Sequence, residues 1–380
     1  MKATSIVKTR FTVVCLLLPL ILILLAGCGG RPAMGWSSPA VEGDVVYTAS
    51  KAGKLYATDI NTRQQLWEFP SDRALAGIYS TPVTGGEVLF FGSYEIEVTS
   101  FLVFQNQEIG GKAYAIYATD GQQKWHFPVD GAGTTEPFLG SPTLGQDMVY
   151  LTSTDYKVYA LDLETGAMRW EFETGNQIWG GPAYGDGTVY VGSSDKNLYA
   201  LNADTGERKW VFAAGGAIYS TPHVSEDTVY FGALDNKAYA LNTENGEERW
   251  TFQTGNWVWE SPLSHELIVY VPSLDHSMYA LYDRNAAVKW EFEAGDMIPD
   301  SPVIADGVLY FSANNAGVYA LDAETGAPIW HYPEEGDFKV LASPTVAGQL
   351  AYVNADDGNL YALDSTTGQL RWKVEPGEEQ

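Results

Sequence analysis

Apolar and polar positions alternate along this chain in short bursts, and the bursts return at a fixed interval. Residues 219–253 hold one complete unit. It begins Tyr-Ser-Thr-Pro-His-Val and continues through 228–232, 238–242 and 249–252, segments rich in Val, Tyr, Phe and Trp that are parted by Asp, Asn and Gly. Each segment is too short for a helix of ordinary length, and the β-branched and aromatic enrichment predicts strands. The same four-part unit recurs at 189–212 and 308–332.

The period is set by Trp67, Trp125, Trp170, Trp210, Trp250, Trp290, Trp330 and Trp372. A proline precedes each one, at Pro39, Pro82, Pro142, Pro182, Pro222, Pro262, Pro302 and Pro344, by 28 residues in every copy but the second, where the gap is 43. A repeat of about 40 residues points to a propeller, solenoid or array. A four-stranded antiparallel sheet that is apolar on both faces buries them only against neighbours like itself, and radial placement leaves short edges. The predicted fold is all-β, an eight-bladed β-propeller over residues 36–375. Each blade is contiguous in sequence, each tryptophan packs on the adjoining blade, and closure rests on packing between the first and last blades.

Between the third and fourth strands the copies read Asp-x-x-Thr-Gly, as at Asp162–Gly166 and Asp322–Gly326. The carboxylate accepts from nearby backbone N–H groups and the glycine takes positive φ, which is turn chemistry. Thr62-Arg63 and Asn285-Ala286 lack the glycine, so a looser or differently shaped turn is expected in those two copies.

The ends add a location. Lys2, Lys8 and Arg10 lead into the apolar run 11–25, the pattern of an export signal. That run ends Leu25-Ala26-Gly27-Cys28, which resembles the lipobox of bacterial lipoproteins. The division expected is a lipoprotein signal peptide over 1–27, a lipid-anchored linker over 28–35 with Cys28 carrying the lipid, the propeller, and a tail over 376–380. The predicted localisation is that of an exported lipoprotein, membrane-anchored on the extracytoplasmic face. Cys15 and Cys28 are the only cysteines, so the propeller has neither thiol nor disulfide and rests on packing. The net charge is −26, and loss of the signal with its three positive charges would take it to −29. Such a surface repels phosphate backbones and excludes nucleic acid as a partner.

The phrase Val-Tyr-x-Gly-Ser, Asp-x-x-Leu-Tyr-Ala-Leu-Asn, Thr-Gly and Trp at 189–210 resembles the pyrroloquinoline-quinone-like propeller repeat. That repeat occurs in quinoprotein alcohol dehydrogenases and in the lipoprotein of the outer-membrane barrel-assembly machinery, the BamB family. The dehydrogenases imply a quinone held against a disulfide of adjacent cysteines, with calcium and an aspartate base. This chain has no Cys-Cys pair and none of the long insertions typical of those enzymes. The resemblance therefore implies a non-enzymatic scaffold without cofactor, binding envelope proteins, in the manner of the assembly lipoprotein. A quinone-dependent oxidoreductase with calcium is the alternative, and a sugar or peptide sensor a further one.

Positions that differ among the copies are free to serve function. Three residues before each proline stand Trp36, Tyr79, Leu139, Trp179, Tyr219, Trp259, Pro299 and Leu341. The five aromatics should lie near one mouth of the central channel, either as a ligand-gripping ring or as packing between blades. One residue later come Ser37, Ser80, Gly140, Gly180, Ser220, Glu260, Asp300 and Ala342. Glu260 and Asp300 fall in adjacent blades, where they form a solvated acidic rim or, facing the channel, bind a cation or raise one another's pKa. The second copy carries the insertion 94–111, with the apolar run Phe101, Leu102, Val103 and Phe104. It is read as a partner loop or as an extended hairpin covering its own apolar side. The five histidines have no zinc-like spacing, and no catalytic constellation or metal site is predicted.

Overall fold

The computed structural model describes residues 37–50, 53–101, 104–129, 136–334, 336–340 and 342–377, with the backbone alone over 97–101 and 104–108. The expected signal, the linker with Cys28, and Trp36 lie outside the described residues. Eight four-stranded antiparallel sheets follow one another along the chain as the eight blades of a β-propeller. Blade four is representative, with strands Ala183–Gly185, Thr188–Gly192, Asn197–Asn202 and Arg208–Ala213. The second strand is buried along its whole length and the third nearly so, while the fourth exposes alternate residues. The apolar runs and the alternation in sequence thus report position across the blade.

The first strands of neighbouring blades touch around the axis, including the last blade against the first. They are edge strands facing the channel, which is where a proline without an N–H is tolerated. The core is a set of layers between blades. One layer joins Tyr150, Val158 and Trp170 of blade three to Val191, Tyr199 and Leu201 of blade four, and another joins Tyr352, Leu360 and Trp372 of blade eight to Val46 of blade one. Polar bonds also close the circle. Asn354 Nδ2 donates to Ser37 O at 2.9 Å, and Thr48 Oγ1 donates to Asn354 Oδ1 at 2.6 Å.

A bulge recurs where the fourth strand pairs with the third: Ala200 faces Trp210 but Leu201 faces Arg208. The bulge re-aims the strand, and the tryptophan reaches the next blade. Trp170 Nε1 donates to Ala203 O at 2.8 Å, Trp210 to Thr243 O at 3.0 Å and Trp330 to Ser365 O at 2.8 Å. The tyrosine of the second strand meets the same carbonyl, as Tyr150 Oη does at Ala203 O, 3.2 Å away. The glycine of the Thr-Gly turn is the floor of this joint. Gly206 has φ +72°, and a Cβ there would stand 2.8 Å from the Trp170 ring.

The two turns without that glycine are not looser, contrary to expectation. Arg63 N donates to Asp59 O at 2.8 Å and Ala286 N to Tyr282 O at 2.9 Å, matching Gly166 N to Asp162 O at 2.9 Å. Arg63 and Ala286 adopt φ of 66° and 54°; the first turn is held by its own Asp59 Oδ1, which accepts from Thr62 N at 2.6 Å, the second packs into the layer of Trp250, and in each the side chain bears the left-handed conformation. Ala286→Gly should therefore raise the melting temperature by about 1–2 °C, the net of relieved strain and added chain entropy. A calorimetric scan showing no rise would mean that the turn carries no strain.

The insertion in blade two is a separate two-stranded hairpin, Glu95–Phe101 with Phe104–Gly110. Ser93 N bonds Lys112 O at 2.8 Å at its base. Its root takes over a job done elsewhere by aspartate. Tyr159 and Tyr199 donate to Asp155 and Asp195 four residues earlier, whereas Tyr114 Oη donates to buried Glu95 Oε1 at 2.7 Å.

Candidate functional site: the channel mouth

The residue before each proline builds the neck of the channel. Ser38 N donates to Thr81 Oγ1 at 3.0 Å, Thr81 N to Ser141 Oγ at 2.9 Å, Gly181 N to Thr221 Oγ1 at 2.9 Å and Ser261 N to Ser301 Oγ at 3.1 Å. At these four joints a blade offers a backbone N–H to the hydroxyl of the next. Gly181 is the exception in residue type, and a Cβ there would lie 2.3 Å from Ser141 O. This girdle was not singled out from sequence, although its signal is plain: seven of the eight residues preceding the prolines are Ser or Thr.

The aromatic positions above the neck form an arc rather than a full ring. Trp179 and Tyr219 have ring centroids 5.7 Å apart, Tyr219 meets Trp259 edge-on at 5.1 Å, and Trp259 lies 6.3 Å from Trp257. All of the first three are half-buried, while Trp257 is exposed. Tyr79 stands apart in blade two, packed edge-on against Tyr94 at 6.1 Å. The pairing Gly77–Tyr94 ties the hairpin root to the segment leading into that blade. The hairpin therefore projects from the same face as the aromatic arc. On it Ile96 and its cross-strand partner Ile109 are both exposed. Phe101 and Phe104 pair at the hairpin tip, and Leu102 and Val103 between them lie outside the described residues.

Glu260 and Asp300 occupy the position that elsewhere holds small residues. Ser80 and Ser220 are buried there, each bonded to the second-strand glycine of its own blade; Ser220 Oγ and Gly232 are 3.0 Å apart in both directions. In blade six the corresponding second-strand residue is Pro272, which has no N–H to offer. In blade seven it is Ser312, whose Oγ donates onward to Ala342 O at 3.0 Å. The Glu260 carboxyl lies near the backbone N–H groups of Thr221 and Ser261, which oppose the rise in its pKa, while Ser261 N itself bonds Ser301 Oγ. The two carboxyls keep partial access to solvent but sit deep among protein atoms. Burial, and then the charge of Asp300, push Glu260 up to about 8; burial pushes Asp300 up to about 7. The elevation is one-sided: the charge of Asp300 adds to the rise at Glu260, whereas Asp300 is raised by burial alone.

Farther along the first strands of blades three to five lies a depression of about 290 Å³ bordered by Ser141, Tyr184, Thr221 and His223. Burial lowers the His223 pKa. Calcium takes six to eight oxygens, and no group of three or more His, Cys, Asp or Glu able to hold a metal gathers among the described residues.

These features define a PQQ-like-repeat propeller with a modified channel mouth. Comparison with known families makes the assignment specific: the family described as outer membrane protein assembly factor BamB matches residues 109–218, 157–256, 213–300 and 294–380, and the chain belongs to that family. Among curated proteins, the outer membrane protein assembly factor BamB of Nitrosomonas eutropha is 26% identical over 164 residues, covering 37% of this chain and 39% of that one. The serine/threonine-protein kinase AfsK of Streptomyces griseus is 28% identical over 143 residues, covering 36% of this chain and 16% of the kinase. The matched segments thus span less than half of each relative. Of solved structures, BamB from Moraxella catarrhalis aligns with a TM-score of 0.62 at 17% identity, over 73% of this chain and 87% of that one. The computationally designed Ika8 protein aligns at 0.72 and 14% identity, over 86% and 95%. At these identities the structural likenesses establish the fold.

Proposed function

We propose that the chain is a non-enzymatic, protein-binding scaffold of the cell envelope that serves in outer-membrane protein assembly. Family membership carries this reading, and one crowded face supports it, where the aromatic arc and the blade-two hairpin stand together on a rigid ring. We further propose a signal peptide over 1–27, a lipid on Cys28 and an extracytoplasmic location, from the lipobox-like Leu25-Ala26-Gly27-Cys28. Trp36, Tyr79, Trp179, Tyr219 and Trp259 are the proposed partner contacts at the mouth, with the 101–104 hairpin tip beside them.

Trp179→Ala combined with Trp259→Ala is expected to cut crosslinking to barrel-assembly proteins in the native host about tenfold. Each ring is half-buried, so truncation removes contact area more than core. The melting temperature should stay within a few degrees of the parent. Undiminished crosslinking from the folded double variant would refute the mouth as the partner site.

A further inference from the structure

Two carboxyls occupy equivalent positions in adjacent blades at the mouth, and neither Glu260 nor Asp300 enters an ion pair among the described residues. A second, independent feature lies next to them. Ser261 is 7% exposed, and its Oγ has no hydrogen-bond partner. Elsewhere in the girdle that hydroxyl receives the N–H of the preceding blade, as Ser301 Oγ does from Ser261 N. At this joint Thr221 N makes no such bond, and it lies near the Glu260 carboxyl. The Ser261 hydroxyl is left as an unused buried polar group at the carboxylate pair.

The aromatic arc adjoins the same point. Trp259 directly precedes Glu260, and Tyr219 lies two residues before Thr221, whose N–H lies near that carboxyl. Tyr219 and Trp259 stand nearly perpendicular, at 80°, so that ring faces and edges surround the approach. Acid oxygens with aromatic faces suit a soft, weakly hydrated organic cation, which gains from the ring quadrupole and from charge-assisted hydrogen bonds together. A hard divalent ion needs a nearly complete oxygen shell, and the described residues gather no third acidic or histidine ligand here. The net charge of −26 further favours a basic partner.

We propose that Glu260, Asp300 and the Ser261 hydroxyl, walled by Trp179, Tyr219 and Trp259, form a receptor for one protonated amine or guanidinium, presented by a lysine or arginine side chain of a protein partner. This rests on the scaffold reading and gives its mouth a ligand chemistry. The guanidinium bridges the two carboxylates, its remaining donors meet Ser261 Oγ, and its plane lies against the rings.

The test titrates the protein with an amidated triarginine peptide, an amidated trinorleucine peptide and calcium chloride, following tryptophan fluorescence and binding heat. Triarginine should bind saturably at one site, trinorleucine should not bind, and calcium should neither bind there nor displace the peptide. Glu260→Gln with Asp300→Asn should weaken triarginine about tenfold or more. Asp204→Asn with Glu244→Gln, exposed on the turns between third and fourth strands away from the mouth, should leave the affinity unchanged and so control for bulk charge. Equal loss in both acid variants, equal binding by the mouth variant and the parent, or stoichiometric displacement by calcium would each overturn the proposal. If triarginine fails while Trp179→Ala with Trp259→Ala still abolishes partner crosslinking, the cation receptor falls and the scaffold stands.

Discussion

Trp170→Ala is expected to destabilise the propeller by about 3–5 kcal/mol, the range for truncating a large buried aromatic. The ring is 8% exposed and lies in the layer between blades three and four, against Tyr199, Leu201 and Ala203. No backbone neighbour can move in to fill the gap, since both flanking sheets are fixed by their own ladders. The lost indole N–H is the smaller part of the cost. Ala203 O keeps a second donor in Tyr150 Oη, so the carbonyl is not orphaned by the single change. Adding Tyr150→Phe removes that donor too. The double variant should lose about 1–3 kcal/mol more than the sum of the singles, the cost of a buried carbonyl without a partner. Denaturant titration of the four proteins measures this coupling. Strict additivity would mean that the two donors act independently, and a loss below about 1 kcal/mol for Trp170→Ala would remove the tryptophan from its place as the joint.

The spacing of those tryptophans made the blades legible, because one side chain per period performs the same packing task at each joint. The Asp-x-x-Thr-Gly turns were legible for a local reason: Asp162 Oδ1 accepts from Thr165 N at 2.9 Å and from its Oγ1 at 2.8 Å, within the motif itself. What sequence hid were bonds whose partners lie one period away. Ala286 packs into the layer that holds Trp250 of the neighbouring blade, a contact that a local propensity argument does not see. The Ser/Thr girdle was overlooked because its residues are shared by nearly every copy, and attention to differing positions passes over shared ones. Glu95 in the place of an aspartate shows the same limit, since the hairpin separates it from Tyr114 by 19 residues. At the mouth the pattern located Glu260 and Asp300, but the unpartnered Ser261 Oγ follows only from the placement of the neighbouring blade, where Thr221 N lies near the Glu260 carboxyl.

The second large effect concerns those carboxyls and pH. In the unfolded chain both titrate near the ordinary Asp and Glu values, about 4; in the fold Glu260 is pushed up to about 8 and Asp300 to about 7. Between those limits the folded protein holds more protons than the unfolded chain, so the pair's contribution to stability falls as pH rises from about 4.5 to about 8 and is flat above. His223 acts in the opposite direction but only below its ordinary value of 6.5, since burial lowers its pKa. A comparison of variant with parent at each pH cancels that background. Glu260→Gln with Asp300→Asn should therefore melt close to the parent at pH 5 and several degrees above it at pH 8.5, the gap opening through neutrality. A gap of the same size at both values would show that the carboxyls titrate normally and carry no stored repulsion. A triarginine peptide should close the gap from the other side, raising the melting temperature of the parent most where both carboxyls are ionised. The folded mouth is thus costly in charge when empty, and a cationic partner returns that cost as affinity.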